Sequence, residues 1–266
     1  MLNQTLVFAF SCLVCANAHG GVWKYEIEGK LYEGYKWWEP YEGQVSMQYR
    51  WPNRSPFWTA IDPDLACNVG GIPTSPNIYA PVHAGSVIKA HYDKNFSIPG
   101  EYPSSTNQTW SHTAGPIFVY MAECPEYDCG KVDPKAPIWF KVYEAGLMNG
   151  TWPAGYWAMA GLFHGETLDF AIPKDMKPGR YLIRHELISI EVGLKQLFPE
   201  CAQIEVIGNG SSIPGSDYTR VAFPGAYSDS GTTIVDPGLN VTAIDFYVVH
   251  ENDTHYPMPG PPLWKP

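Results

Sequence analysis

The sequence has few of the features that mark a membrane-spanning or nucleic-acid-binding chain. Its apolar run from Leu6 to Cys15 is too short to cross a bilayer, and no later segment approaches the length of a membrane helix. Positive charge is scarce: 17 Lys and Arg stand against 27 Asp and Glu, a net charge of −10. Such a balance argues against nucleic acid as partner and suits a neutral or weakly charged substrate; it also keeps a secreted protein soluble. There is no H-E-x-x-H, and no C-x-x-C beyond Cys15, so the common zinc signatures are missing from the body of the chain. Internal repeats, a Ser/Thr-rich linker and long runs of helical periodicity are also lacking, which points to one domain that is not helical.

The amino terminus reads as a secretory signal. The apolar run ends in Ala16-Asn17-Ala18, the small-x-small pattern that signal peptidase accepts. Cleavage after Ala18 separates a signal peptide, 1–18, from a single mature domain, 19–266, that begins His19-Gly20-Gly21. Cys12 and Cys15 leave with the signal. Cys67, Cys124, Cys129 and Cys201 remain, an even set that fits two disulfides in an oxidising compartment, with three possible pairings. Sequons at Asn53, Asn95, Asn107, Asn149, Asn209, Asn240 and Asn252 fit a glycosylating pathway. The expectation is a secreted, extracellular monomer with no membrane partner.

Gly and Pro, 25 of each, are scattered as turn punctuation. Between them lie runs with strand chemistry: 85–93, 115–123, 138–146, 168–173, 179–192 and 202–208. Several alternate apolar with polar residues and carry β-branched or aromatic side chains. Short strands separated by turns predict an antiparallel β-sandwich with long loops. Residues 23–51 and 209–266 read as loop-rich. The first is crowded with aromatics, including Trp23, Tyr25, Tyr35, Trp37, Trp38, Tyr41, Tyr49 and Trp51. Sugar stacking, core packing and loop anchoring are all open for those rings.

A mature chain that starts with histidine carries two nitrogen donors on one residue, the α-amine and the ring. The amine has an ordinary pKa of about 7.7–8.0, low enough for a metal to displace its proton near neutrality. One further imidazole gives three nitrogens in a planar T, an arrangement that suits copper and leaves positions open for dioxygen or peroxide. Among the other histidines, His112 sits just before an apolar strand, where a loop can present it. His185 lies inside a strand and reads as a structural, hydrogen-bonded residue. His83, His91, His164, His250 and His255 read as surface or loop residues.

The phrases "SHTAGPIFVYMAEC", "VDPKAPIWFKVYEAGL", "KPGRYLIRHELISI", "PECAQIEV", "FPGAYS", "DPGL" and "YPMPGPPLW" follow one another in a familiar order. Together with His19 they resemble the fungal lytic polysaccharide monooxygenases of auxiliary activity family nine, formerly glycoside hydrolase family sixty-one. That resemblance implies an immunoglobulin-like β-sandwich whose loops form a flat, copper-bearing face. It implies one copper ion held by His19 and His112, and the pairings Cys67–Cys201 and Cys124–Cys129. It implies Gln196 beside bound oxygen species and Tyr256 packing on sugar rings, with packing of the carboxyl-terminal segment as the alternative for Tyr256. The expected activity is oxidative cleavage of a β-1,4-glucan at C1 or C4, with an external electron donor and a polysaccharide surface as partners. Two positions depart from the family. Phe198 stands where an axial tyrosine is usual, and Glu191 where a second-sphere histidine is usual. A desolvated Glu191 would have a raised pKa and serve as a proton donor; the alternative has it facing solvent. These departures keep open a secreted copper-binding or cell-wall protein that does not cleave polysaccharide. A glycoside hydrolase needs two carboxylates flanking the bond, and no motif singles out such a pair.

Overall fold

The computed structural model describes residues 20–52, 55–93, 109–151, 154–191, 195–227, 234–236, 239–241 and 254–266. In chain order its strands are β1 (Gly21–Ile27), β2 (Lys30–Glu33), β3 (Ala80–His83), β4 (Val87–Asp93), β5 (Ile117–Glu123), β6 (Phe140–Ala145), β7 (Leu147–Asn149), β8 (Tyr156–Trp157), β9 (Leu168–Ala171), β10 (Gly179–Ser189), β11 (Gln196–Ile207), β12 (Ile234–Asp236) and β13 (Leu239–Val241). One short helix, α1 (Ala158–Phe163), follows β8. Two sheets form the sandwich, ordered β2-β1-β4-β9 and β3-β11-β10-β5-β6. Pairing is antiparallel except between β3 and β11, which run parallel.

Strand alternation explains the two cores. On β10, His185 faces inward and bonds the hydroxyls of Tyr25 and Tyr92, at 2.7 and 3.1 Å. Its neighbours Arg184 and Glu186 point to the opposite face, because side chains alternate at period two. There the guanidinium and carboxylate form a two-pronged pair at 2.7 and 2.9 Å, and Arg184 also donates to the carbonyls of Leu65 and Ala66. The inner core between the sheets holds Val22, Tyr92, Trp110, Leu187 and Phe198. The outer one holds Phe57, Phe118, Leu182, Leu197 and Tyr227 under the long loops and the returning carboxyl-terminal segment.

The disulfides are Cys67–Cys201 and Cys124–Cys129. The first ties β11 to the 55–79 region across a separation of 134 residues. Closing so long a loop typically contributes about 2–4 kcal/mol.

Two segments differ from the sequence expectation. The β1–β2 hairpin, 21–33, takes in the beginning of the region 23–51 that reads as loop-rich. A bulge between Val22 and Lys24 shifts the register and breaks the alternation that would have revealed the strand. The hairpin turn uses Glu28 and Gly29, both at positive φ (51° and 78°), the conformation a two-residue turn of this kind demands. β11 starts at Gln196, six residues before the expected run at 202, and contains Pro199. The missing N–H of Pro199 faces away from the β10 ladder, on the side where Leu197 and Cys201 bond Phe57 and Tyr49. No ladder bond is lost.

Most of the early aromatics anchor the structure. Tyr25, Tyr35, Tyr49 and Trp51 are buried, and Trp23, Trp37 and Trp38 pack against the Tyr35–Trp51 pair.

Candidate metal centre

One end of the five-stranded sheet gathers the residues singled out in the sequence. β5 and β10 pair antiparallel with Ile117 opposite Leu187. The ladder continues past the strand ends, with Ile188 N–H donating to the Pro116 carbonyl at 3.1 Å and Ile190 N–H to the Ala114 carbonyl at 3.2 Å. The backbones approach closely here. Gly115 sits at φ +143°, and a Cβ on it would lie 1.9 Å from the Ile188 carbonyl oxygen. Only glycine meets both demands. The same register sets Glu191 opposite Thr113, one residue from His112.

Glu191 uses that position fully. One carboxylate oxygen accepts from the Thr113 N–H at 2.5 Å, from the Thr113 hydroxyl, and from the Ala114 N–H at 2.9 Å. The other lies 2.9 Å from Nδ1 of the buried His112 ring. Partial burial raises the carboxyl pKa, but the bonds from His112 and Thr113 outweigh it and hold the pKa at about 2. The sequence left Glu191 either desolvated or facing solvent; its side chain is 24% exposed and turns both oxygens onto residues 112–114, whose donors favour the charged form over the raised pKa of a desolvated carboxyl.

β11 starts beside this loop. Gln196 pairs with Ser189 and Phe198 with Leu187. Gln196, Phe198 and Glu200 share one face of the strand, and all three are buried. The Phe198 ring is 5.8 Å from the His112 ring, and Trp110 stands edge-on to Phe198 at 5.0 Å and to His112 at 6.0 Å. Tyr92 continues the stack at 5.3 Å from Trp110. His112 thus has an aromatic wall on one side and a carboxylate behind it.

The amino-terminal strand is clamped to the same row. The Val22 N–H donates to both oxygens of Glu200, at 3.2 and 3.1 Å, and the Gln48 amide donates to the second of these at 2.6 Å. Gln48 in turn accepts from the Tyr35 N–H at 2.6 Å, tying in the aromatic loop. Burial pushes the Glu200 carboxyl above the usual carboxylate range, and the Val22 and Gln48 donors oppose that push. A Cβ on Gly21 would lie 2.3 Å from Glu200 Oε1 and 2.8 Å from the Trp51 ring, so the chain passes where only glycine fits. Glu200 and Phe198 are two residues apart on β11, about 7 Å. Three residues of extended chain reach at most about 11 Å.

The proposed ligand His19 lies outside the described residues. Among the described residues no three His, Cys, Asp or Glu side chains cluster as a metal site. The donor chemistry nevertheless fits the ion inferred from sequence. His112 supplies a buried imidazole whose Nδ1 is engaged by a carboxylate, and the clamp at Val22 brings the start of β1 to the same face.

The structure places two further residues. Tyr256 is 5% exposed, its ring edge-on to Trp157 at 5.1 Å beneath the carboxyl-terminal segment. In this position it packs under that segment and offers little ring surface to a sugar, which is the second of the two roles the sequence left open for it. Nothing in the local sequence of Trp58 marks it as a functional residue. Phe57 forms an antiparallel bridge with Leu197, so the next residue, Trp58, falls level with Gln196. Trp58 is 52% exposed. His185 is structural, as expected. His83 is exposed and bonds Glu28, while His250 lies outside the described residues.

The family model for auxiliary activity family 9, formerly GH61, matches residues 19–248. An AA9 family lytic polysaccharide monooxygenase B of Heterobasidion irregulare is 36% identical over 251 residues, 93% of this chain and 92% of the relative. An AA9 family lytic polysaccharide monooxygenase D of Thermothelomyces thermophilus is 35% identical over 260 residues, 94% of this chain and 90% of the relative. Among solved structures, that of HiLPMO9B superposes with a TM-score of 0.75 at 33% identity, covering 93% of this chain and 100% of its own. A cellulose-active polysaccharide monooxygenase from M. thermophila superposes at 0.71 and 33%, covering 93% and 99%.

Proposed function

Because the chain belongs to auxiliary activity family 9, the lytic polysaccharide monooxygenases, we propose that it is a secreted copper enzyme that oxidatively cleaves a β-1,4-linked glucan. The observation that carries this reading is local. A buried histidine, backed by a carboxylate at Nδ1, stands beside Phe198 near the start of β11, the strand whose Glu200 clamps the start of β1. The family match also begins at residue 19, the first residue after the proposed signal cleavage.

In this reading the α-amine and ring of His19 and the ring of His112 would hold one copper ion. Bound copper would supply the redox chemistry that, with an external electron donor and dioxygen or peroxide, hydroxylates C1 or C4 of the glucan and so breaks the glycosidic bond. The chain's own residues shape the surroundings. Gln196 would offer a side-chain amide to hydrogen-bond the oxidant at the site. Phe198 would line the ion's surroundings with a ring that supplies neither an oxygen ligand nor a phenolic proton. Trp58 presents a broad apolar face beside Gln196, suited to the C–H face of a pyranose.

Mass spectrometry of products tests the reading. Oxidised oligosaccharides are expected from cellulose, xyloglucan or another β-glucan only when copper and a reductant are both present. The mass of the intact amino-terminal peptide is expected to begin at His19. Phe198 favours one competing outcome: tight copper binding with no oxidised product from any β-glucan, which would identify a copper-binding protein on the same fold.

A further inference from the structure

Glu191 occupies a position where the family resemblance implies a histidine, and its bonds give it a different task. Its two oxygens divide the work. Oε1 collects the Thr113 N–H, the Thr113 hydroxyl and the Ala114 N–H, which fixes the plane of the carboxylate. Oε2 is thereby aimed at Nδ1 of His112, 2.9 Å away. The two backbone N–H groups can only donate, so they require an acceptor at Oε1, and an ordinary carboxylate satisfies them. Three donors on one oxygen favour the ionised carboxylate, which can only accept, so Oε2 takes a ring N–H from Nδ1.

We infer that Glu191 is the positioning residue of His112: it keeps the ring proton on Nδ1, fixes the ring plane and commits Nε2 to the metal. An unconstrained neutral imidazole exchanges its proton between the two nitrogens. A ring with the proton on Nε2 would have to lose it, or turn over, before that nitrogen could bind. A carboxylate behind a ligating histidine also raises the basicity of the donor nitrogen. The geometry explains why Glu191 reaches this ring at all. The β5–β10 register sets it opposite Thr113, and Gly115 lets the two backbones come close enough for the carboxylate to span residues 112–114. This inference rests on the copper reading for its consequence, but not for the tautomer itself.

The test has one arm without metal and one with it, both on the full mature chain. Nitrogen-15 spectra of the metal-free protein are expected to show His112 as the Nδ1–H tautomer. Glu191→Ala should shift it towards Nε2–H, and Glu191→Gln should give an intermediate mixture, since one carbonyl oxygen cannot serve both the ring and the backbone donors. Copper titration should then show affinity reduced about 10–100-fold in Glu191→Ala, with altered hyperfine coupling in the electron paramagnetic resonance spectrum. Thr113→Val, which removes one hydroxyl from the Oε1 side, should leave the tautomer unchanged. If Glu191→Ala fails to fold, the Gln variant and the wild-type tautomer decide the matter. Wild-type protein with the proton on Nε2, or a Glu191 variant with the same tautomer and copper affinity as wild type, would overturn the inference. The Nδ1–H tautomer in a protein that binds no copper would overturn the copper reading and support the positioning role.

Discussion

Trp58 shows how a single residue can matter through register alone. Its neighbour Phe57 is buried and bonded to Leu197, while Trp58 itself lies half in solvent, level with Gln196. If the indole stacks on a sugar ring, Trp58→Ala should weaken adsorption to the polysaccharide by about 0.5–1.5 kcal/mol, roughly two- to tenfold. A binding isotherm on the insoluble glucan measures this, and copper affinity should stay unchanged. Unaltered adsorption would remove Trp58 from the binding face. Tyr256 makes the converse point at the same scale. The closing motif resembles a sugar-packing position, yet the ring is buried against Trp157.

At the scale of elements, the clamp that holds β1 against Glu200 of β11, a strand of the facing sheet, decides whether the site can assemble. Glu200 is a buried carboxyl that accepts the Val22 N–H, and the chain passes it without a side chain at Gly21. Gly21→Ala would force a methyl group to 2.3 Å from Glu200 Oε1 unless the strand moves. The expected cost is about 1–3 kcal/mol of stability, seen as a lower denaturant midpoint. Because the strand start is displaced, copper affinity should fall as well. A variant that loses stability but keeps full copper affinity would show that the clamp serves folding alone. The ladder of β5 with β10 works in the same way, since it carries Glu191 to His112 while neither residue lies inside a strand.

For the whole molecule, pH dependence of stability reports on the core between the sheets. His185 is fully buried between Tyr25 and Tyr92, and burial, aided by the Arg184 charge, holds its pKa at about 3. It is therefore neutral in the folded state over most of the acid range, whereas the unfolded chain takes up a proton near its ordinary value of about 6.5. Below that pH the unfolded state binds more protons, so stability is complete above about 6.5 and declines as pH falls towards 3. The slope from this residue is at most about 1.4 kcal/mol per pH unit. Thermal melts from pH 7 to 3 should show a steeper decline for wild type than for His185→Gln. Comparing the two cancels the contribution of Glu200, whose raised carboxyl pKa acts in the opposite direction. Equal slopes would mean that His185 is protonated in the fold.

The sequence by itself determined much of the outcome. Period-two alternation marked β4, β5, β6, β9 and β10, and ordered motifs pointed to the β-sandwich, the two disulfides and His112. Alternation is a local consequence of pleating, so it is legible in one stretch of chain. Tertiary structure decided the rest. The bulge at Val22–Lys24 hid β1, and the outward-facing Pro199 hid the start of β11. Whether Glu191 faced solvent or His112 depended on a register between strands seventy residues apart in the chain, and Trp58 gained its place from a bridge to Leu197. Contacts of that kind are set by which backbones pair, and no local pattern of residues records the choice.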